Sequence, residues 1–168
     1  MPTAQTPDPI TQVYLAIWAT LNAWHGLTDL VRVEVNLTDP AYRTTSPFRS
    51  YALNAGDLPE LILMQGRGSS PIFGANSMDV DFTQEYRLVI TTDTMGVDDI
   101  NRIKFNVMAA ILKGGDTFGT DGVVKDFRCE WADGIDVGRP DTGDKRMASI
   151  FSIRTDLYQS RESILALT

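Results

Sequence analysis

Apolar and polar residues recur along this chain with two different periods, and the switches between them mark the elements. From position 10 to 24 the apolar residues Ile10, Val13, Tyr14, Ile17, Trp18, Leu21 and Trp24 return every three or four positions. That spacing places them on one face of an α-helix. Asp8 followed by Pro9 predicts its start, an N-cap carboxylate with proline at the first helical position. Gly26 is placed to end it. In 30–37 the period drops to two, with Val31, Val33, Val35 and Leu37 alternating with polar residues, which predicts a half-buried strand. A short apolar run, ELILMQ over 60–65, predicts a buried strand, and GRGSSPIFGANS after it a loop. Val80, Phe82, Tyr86, Leu88 and Ile90 alternate through 79–92, with Gln84 as the single break, and predict a long strand of antiparallel type.

The helical period returns over 97–112. Ile100, Ile103, Phe105, Val107, Met108, Ile111 and Leu112 supply a broad apolar face, Asp98 and Asp99 suit the first turn, and Gly114 and Gly115 end the helix. Two further alternating stretches follow. Val123, Phe127, Cys129 and Trp131 define a strand over 123–131, and Met147, Phe151, Ile153 and Leu157 define another over 146–158. The loop DGIDVGRPDTGD separates them, and the last residues read as a short helix or tail. The order is α-β-β-β-α-β-β. Strands in runs, rather than interleaved with helices, predict an α+β fold with a mainly antiparallel sheet of four to five strands and two principal helices packed on one face.

Residues 1–7 read as a loose arm and 8–168 as a single α+β domain. Residues 38–58 are rich in Pro, Thr, Ser and Asn, and read as a long loop. A loop of that length is uncommon in a compact domain without a role. Its aromatic residues Tyr42, Phe48 and Tyr51 are the candidate inter-subunit contacts, and the segment is expected to order on assembly.

Composition narrows the function classes. A chain of 168 residues with 43% hydrophobic and 22% charged residues has enough apolar material for one core. The net charge is −7 and the basic residues are scattered. Tight nucleic-acid binding needs clustered Lys and Arg, so the charge argues against it. The first residues have neither the basic nor the apolar region of a secretion signal, and no run approaches the roughly 18 apolar residues of a membrane span. A cytoplasmic site of folding, with no membrane partner, is the expectation.

Catalytic chemistry finds little material. His25 is the only histidine and Cys129 the only cysteine, too few for the usual zinc set. His25 reads as a helix C-terminal residue favoured by the dipole, and Cys129 as a small core hydrophobe beside Phe127 and Trp131. A nucleophilic cysteine would need a base, and His25 is the only imidazole to offer. The carboxylates of Asp79 and Asp81, of Asp98 and Asp99, and of Asp133, Asp136, Asp141 and Asp144 are close in sequence. Their spacing matches no calcium loop, and Asp and Gly are common turn residues. The Gly-rich stretches GRGSS and GGDTFGTDG fit neither GxxxxGK[ST] nor GxGxxG. Trp18, Trp24 and Trp131 are expected in the core. The expectation is no catalytic, cofactor-binding or metal site, and no enzyme. A small metal-dependent hydrolase using the Asp clusters is the competing reading.

The segments PITQVYLAIWATLNAW, PELILMQGRG, QEYRLVITTDT, INRIKFNVMAAILKGG and MASIFSIRTDLYQSRES, in that order, give the chain a layout that resembles the tail terminator proteins of tailed bacteriophages, also called neck or tail-completion proteins. The resemblance implies a structural virion subunit. It would form a ring, usually hexameric, that caps the tail tube and joins it to the head–neck connector, with DNA at most passing through the lumen. Another head–tail joining, head-completion or minor tail protein is the alternative within the same class.

Overall fold

The computed structural model describes residues 8–28, 32–35, 60–69, 74, 76–92, 97–115, 118, 120, 122–136 and 147–166. The first helix, α1 (Pro9–Asn22), starts where the sequence places it. The Asp8 carboxylate accepts from the Thr11 backbone N–H at 2.9 Å and from the Thr11 hydroxyl at 2.8 Å. Both bonds satisfy groups that a helix start would otherwise leave open. The helix ends at Ala23, not at glycine. His25–Thr28 then forms a separate turn, α2, with Gly26 inside it. The reason is local: a Cβ at Gly26 would lie 2.5 Å from Asn106 Oδ1. The glycine therefore serves close approach to the next long helix rather than termination.

Among the described residues five strands form one sheet: β1 (Arg32–Val35), β2 (Glu60–Ser69), β3 (Asp79–Thr92), β4 (Val124–Asp136) and β5 (Met147–Ser160). Their order is β1-β2-β3-β5-β4. Each neighbouring pair among the last four is antiparallel, and β1 pairs with β2 in parallel, Arg32 opposite Glu60 and Val35 opposite Leu63. A parallel pair needs a crossover of a dozen or more residues. The sequence separation between Val35 and Glu60 meets that requirement. The expected arm 1–7 and loop 38–58 lie outside the described residues. Of the expected loop DGIDVGRPDTGD, residues 133–136 instead continue β4, which runs on past the expected strand end at Trp131, and 137–144 lie outside the described residues.

The long helix α3 (Val97–Gly114) packs beside α1 on one face of the sheet, and α4 (Arg161–Leu165) closes the described chain. The α+β architecture expected from the element order is thus the observed one. Side chains alternate across the strands. One row, including Leu61, Leu63, Tyr86, Leu88, Phe151 and Ile153, forms the core with Val13, Tyr14, Ile17 and Leu21 of α1 and Ile103, Val107, Ala110 and Ile111 of α3. Two phenols tie helix to sheet inside that core. The buried Tyr14 hydroxyl donates to the Leu63 carbonyl, and the Tyr86 hydroxyl donates to the Ile10 carbonyl at 2.9 Å. Burial, with the Asp8 charge, raises the Tyr86 phenol well above its ordinary range, so it stays a donor.

Gln84, the break in the apolar alternation, has a structural cause. β2 is bulged between Gln65 and Gly68, and runs on to Ser69 instead of stopping at Gln65. Gln84 faces this bulge, is buried, and donates from Nε2 to the Gly66 carbonyl at 3.1 Å and the Glu85 carbonyl at 2.9 Å. A Cβ at Gly68 would stand 2.6 Å from Gln84 Oε1. The GRG stretch is therefore the part of a strand that makes room for a buried amide.

Candidate assembly surfaces

Two exposed apolar patches stand out among the described residues, and they come from different elements. The first is the outward row of α3. Residues seven apart on an α-helix lie on nearly the same side, two turns away from each other. Phe105 and Leu112 occupy such positions and are 67% and 73% exposed. The sequence pattern placed both on a single core-facing stripe. The structure corrects that: Ile103, Val107, Ala110 and Ile111 face inward, and Phe105 and Leu112 point away. A broad apolar arc on a helix can serve two surfaces, and here the sheet covers only one of them. Arg102 and Lys113 on this helix are exposed, and no acidic residue occurs from Ile100 to Gly115, while Asp98, seven residues before Phe105, and Asp99 lie in its first turn by backbone position.

The second patch lies at the sheet end where β3 begins and β5 finishes. Asp79 is opposite Ser160 there, and the Arg161 N–H donates to the Met78 carbonyl at 2.8 Å. Ser160 caps α4, its hydroxyl accepting from the Ser163 N–H at 3.2 Å. Met78 is 72% and Leu165 61% exposed, and Ile164 is also exposed. This end is acidic. Asp79, Asp81, Asp126, Asp156 and Glu162 are exposed, against Lys125 and Arg161.

Three of those carboxylates, Asp79, Asp81 and Asp156, are engaged by neighbouring side-chain donors. The Tyr158 hydroxyl donates to Asp79 at 2.7 Å, Lys125 Nζ to Asp81 at 2.7 Å, and the Thr83 hydroxyl to Asp156 at 3.1 Å. The bond to Asp79 holds the Tyr158 phenol above its usual pKa. Lys125 also sits 4.9 Å from the centroid of the Tyr158 ring. Asp79 and Asp81 share a strand face as their spacing predicts, but each has its own partner. Among the described residues no group of three or more His, Cys, Asp or Glu is arranged to hold a metal ion.

The remaining residues singled out in the sequence are dispersed. His25 is exposed and opens α2 rather than closing α1; it borders a recess with Thr20, Trp24 and Lys113. Cys129 is exposed instead of buried, and Trp131 is half exposed, its ring centroid 5.8 Å from that of Phe151. Both belong to the row facing the helices, but β4 is an edge strand, and among its described side chains Val124 and Phe127, in its first part, join the core. Local desolvation and the Glu130 charge push the Cys129 thiol up to about 11, which keeps it protonated and a poor nucleophile at neutral pH. Trp18 packs on the core, and Trp24 donates from Nε1 to Asn106 Oδ1 at 2.9 Å, joining α1's end to α3. Asp98 and Asp99 fall in the first turn of α3, and Asp133 and Asp136 in β4, by backbone position. Asp141, Asp144, Tyr42, Phe48 and Tyr51 lie outside the described residues.

On the sheet face away from α1 and α3, Glu85 is buried beside Arg87, whose Nε donates to it at 3.0 Å. Burial alone would raise the Glu85 carboxyl. The Arg87 hydrogen bond and charge, with donors from Ser152 and the Arg67 N–H, outweigh burial and hold it below its ordinary value.

Comparison with known proteins found no matching family model and no similar curated sequence. No helix among the described residues is long and apolar enough to cross a membrane.

Proposed function

We propose that this chain is a non-catalytic structural subunit of a tailed-phage virion: a tail terminator that forms a ring, usually a hexamer, caps the tail tube and meets the head–neck connector. The observation that carries the reading is the outward row of α3. A monomer with a complete core gains nothing from Phe105 and Leu112 on its surface, whereas a subunit that buries them against a neighbour gains apolar contact. The order of elements, with one long helix on either side of the first three strands in sequence, supports the same class through its resemblance to tail terminators. The net charge of −7 suits a lumen through which DNA slides without sticking. Such a subunit would be assembled in the host cytoplasm and act in the virion.

Size-exclusion chromatography with light scattering, on the chain alone and mixed with the tail-tube protein of the same genome, tests this. The expected result is a multiple of the 18.6 kDa chain, alone or on the tube. A strict 18.6 kDa monomer that ignores the tube contradicts it.

A further inference from the structure

We infer that the outward row of α3 on one copy docks against the Met78–α4 patch of a second copy, in a head-to-tail contact. The two patches are made of different residues, so the contact is heterologous: each copy offers one surface and receives the other. Both centres are apolar. Phe105 and Leu112 on one side would cover Met78 and Leu165 on the other, and all four are more than 60% exposed in the single chain.

Charge selects the pairing. Arg102 and Lys113 flank the stretch from Phe105 to Leu112, and no carboxylate lies between Ile100 and Gly115, so this stretch is basic although Asp98 and Asp99 occupy the first turn of the helix. The opposite patch is rimmed by Asp79 and Glu162, with Asp81, Asp126 and Asp156 further along the same sheet end, and these five carboxylates outnumber the two cations there, Arg161 and Lys125. In a chain of net charge −7, two copies repel on average. A local basic helix meeting a local acidic rim is the arrangement that turns this repulsion into orientation. The same charges disfavour the self-paired alternatives, in which two basic helix rows or two acidic rims would face each other. Because each copy retains one unused patch after pairing, the contact propagates. The inference rests on the ring reading for closure of the chain of contacts, and on the two patches for the contact itself.

The test uses two surface variants of the full chain. Phe105→Ser with Leu112→Ser removes the helix row, and Met78→Ser with Leu165→Ser removes the other patch. Circular dichroism checks that each retains its fold, and sedimentation velocity reads the mass. The wild type is expected above 18.6 kDa, and each variant alone at 18.6 kDa. Their equimolar mixture should give a two-chain species and nothing larger, because only one intact pair of patches remains. A charge variant, Arg102→Glu with Lys113→Glu, should weaken self-association about tenfold or more without touching an apolar residue.

A wild-type monomer at every concentration overturns the inference, including one that instead pellets with anionic lipid vesicles. So does a mixture that stays monomeric. Assembly unchanged in both serine variants overturns this contact while leaving a ring through other surfaces. Assembly through this contact with no binding to tail tube supports the contact and contradicts the tail terminator reading.

Discussion

The two long helices lie side by side on one sheet, yet the fold uses them differently. α1 turns Val13, Tyr14, Ile17 and Leu21 fully inward, and its only exposed large apolar residue is Leu15. It is also fixed at three points: the Asp8 cap, the Tyr14 bond to β2 and the Tyr86 bond to Ile10. α3 contributes an equally buried inner row, but leaves an aromatic ring and a leucine outside. Helix α1 is explained by the core of its own chain. Helix α3 is explained only in part, and its surplus apolar surface is what points beyond the monomer.

The inner rows should be alike. Ile17→Ala and Ile103→Ala are each expected to lower unfolding free energy by about 2–5 kcal/mol, through lost transfer energy and the cavity left behind. Urea denaturation reads this, and a much smaller cost at Ile103 would mean that α3 is loosely seated. The fixings of α1 come next. Asp8→Ala should cost about 1 kcal/mol from the lost cap. Tyr14→Phe should cost about 0.5–1.5 kcal/mol from the lost bond to Leu63. Equal stability in both variants would remove the contrast in how firmly the helices are tied.

Glu85 sharpens the comparison from the side that neither helix touches. Its carboxyl is held below the ordinary value of 4.5, so its ionisation stabilises the fold fully above that pH. The contribution is lost as pH falls through the depressed value. The stability gap between wild type and Glu85→Gln should therefore shrink in titrations taken below 4.5. A gap that widens in acid would refute the Arg87 pairing. The smallest effect belongs to the outer row: Leu112→Ala should change monomer stability by less than about 0.5 kcal/mol. A core-sized loss there would abolish the distinction on which the assembly surface depends.

Sequence patterning captured the class of fold and most element positions, because the periods of 3.6 and 2 follow from backbone geometry. It missed features that depend on what covers what. Phe105 and Leu112 share the helical arc of the core residues, and periodicity does not reveal where the sheet's cover stops. Cys129 and Trp131 continue the apolar row of β4, but strand order makes β4 an edge. Nothing local encodes that order. Gln84 was legible in principle: a lone amide in an apolar row, with a GRG segment elsewhere to receive it, signals a bulge with a buried polar partner. Phe118 was overlooked inside GGDTFGTDG. It adopts a left-handed backbone with φ 48° between the positive-φ Gly115 and Gly122, and packs 4.8 Å from the Phe127 ring. An aromatic residue among turn glycines was the available signal. The aromatic candidates of the long loop, Tyr42, Phe48 and Tyr51, were chosen for lacking an intramolecular role. The exposed residues of α3 meet that criterion among the described residues.

Electron microscopy of the purified chain mixed with tail tubes of the same virion bears most directly on the proposal. Closed rings seated on one end of the tubes, with the outer row of α3 buried between neighbouring subunits, are the predicted result. Bare tube ends, with the chain left in solution as an 18.6 kDa monomer, would contradict it.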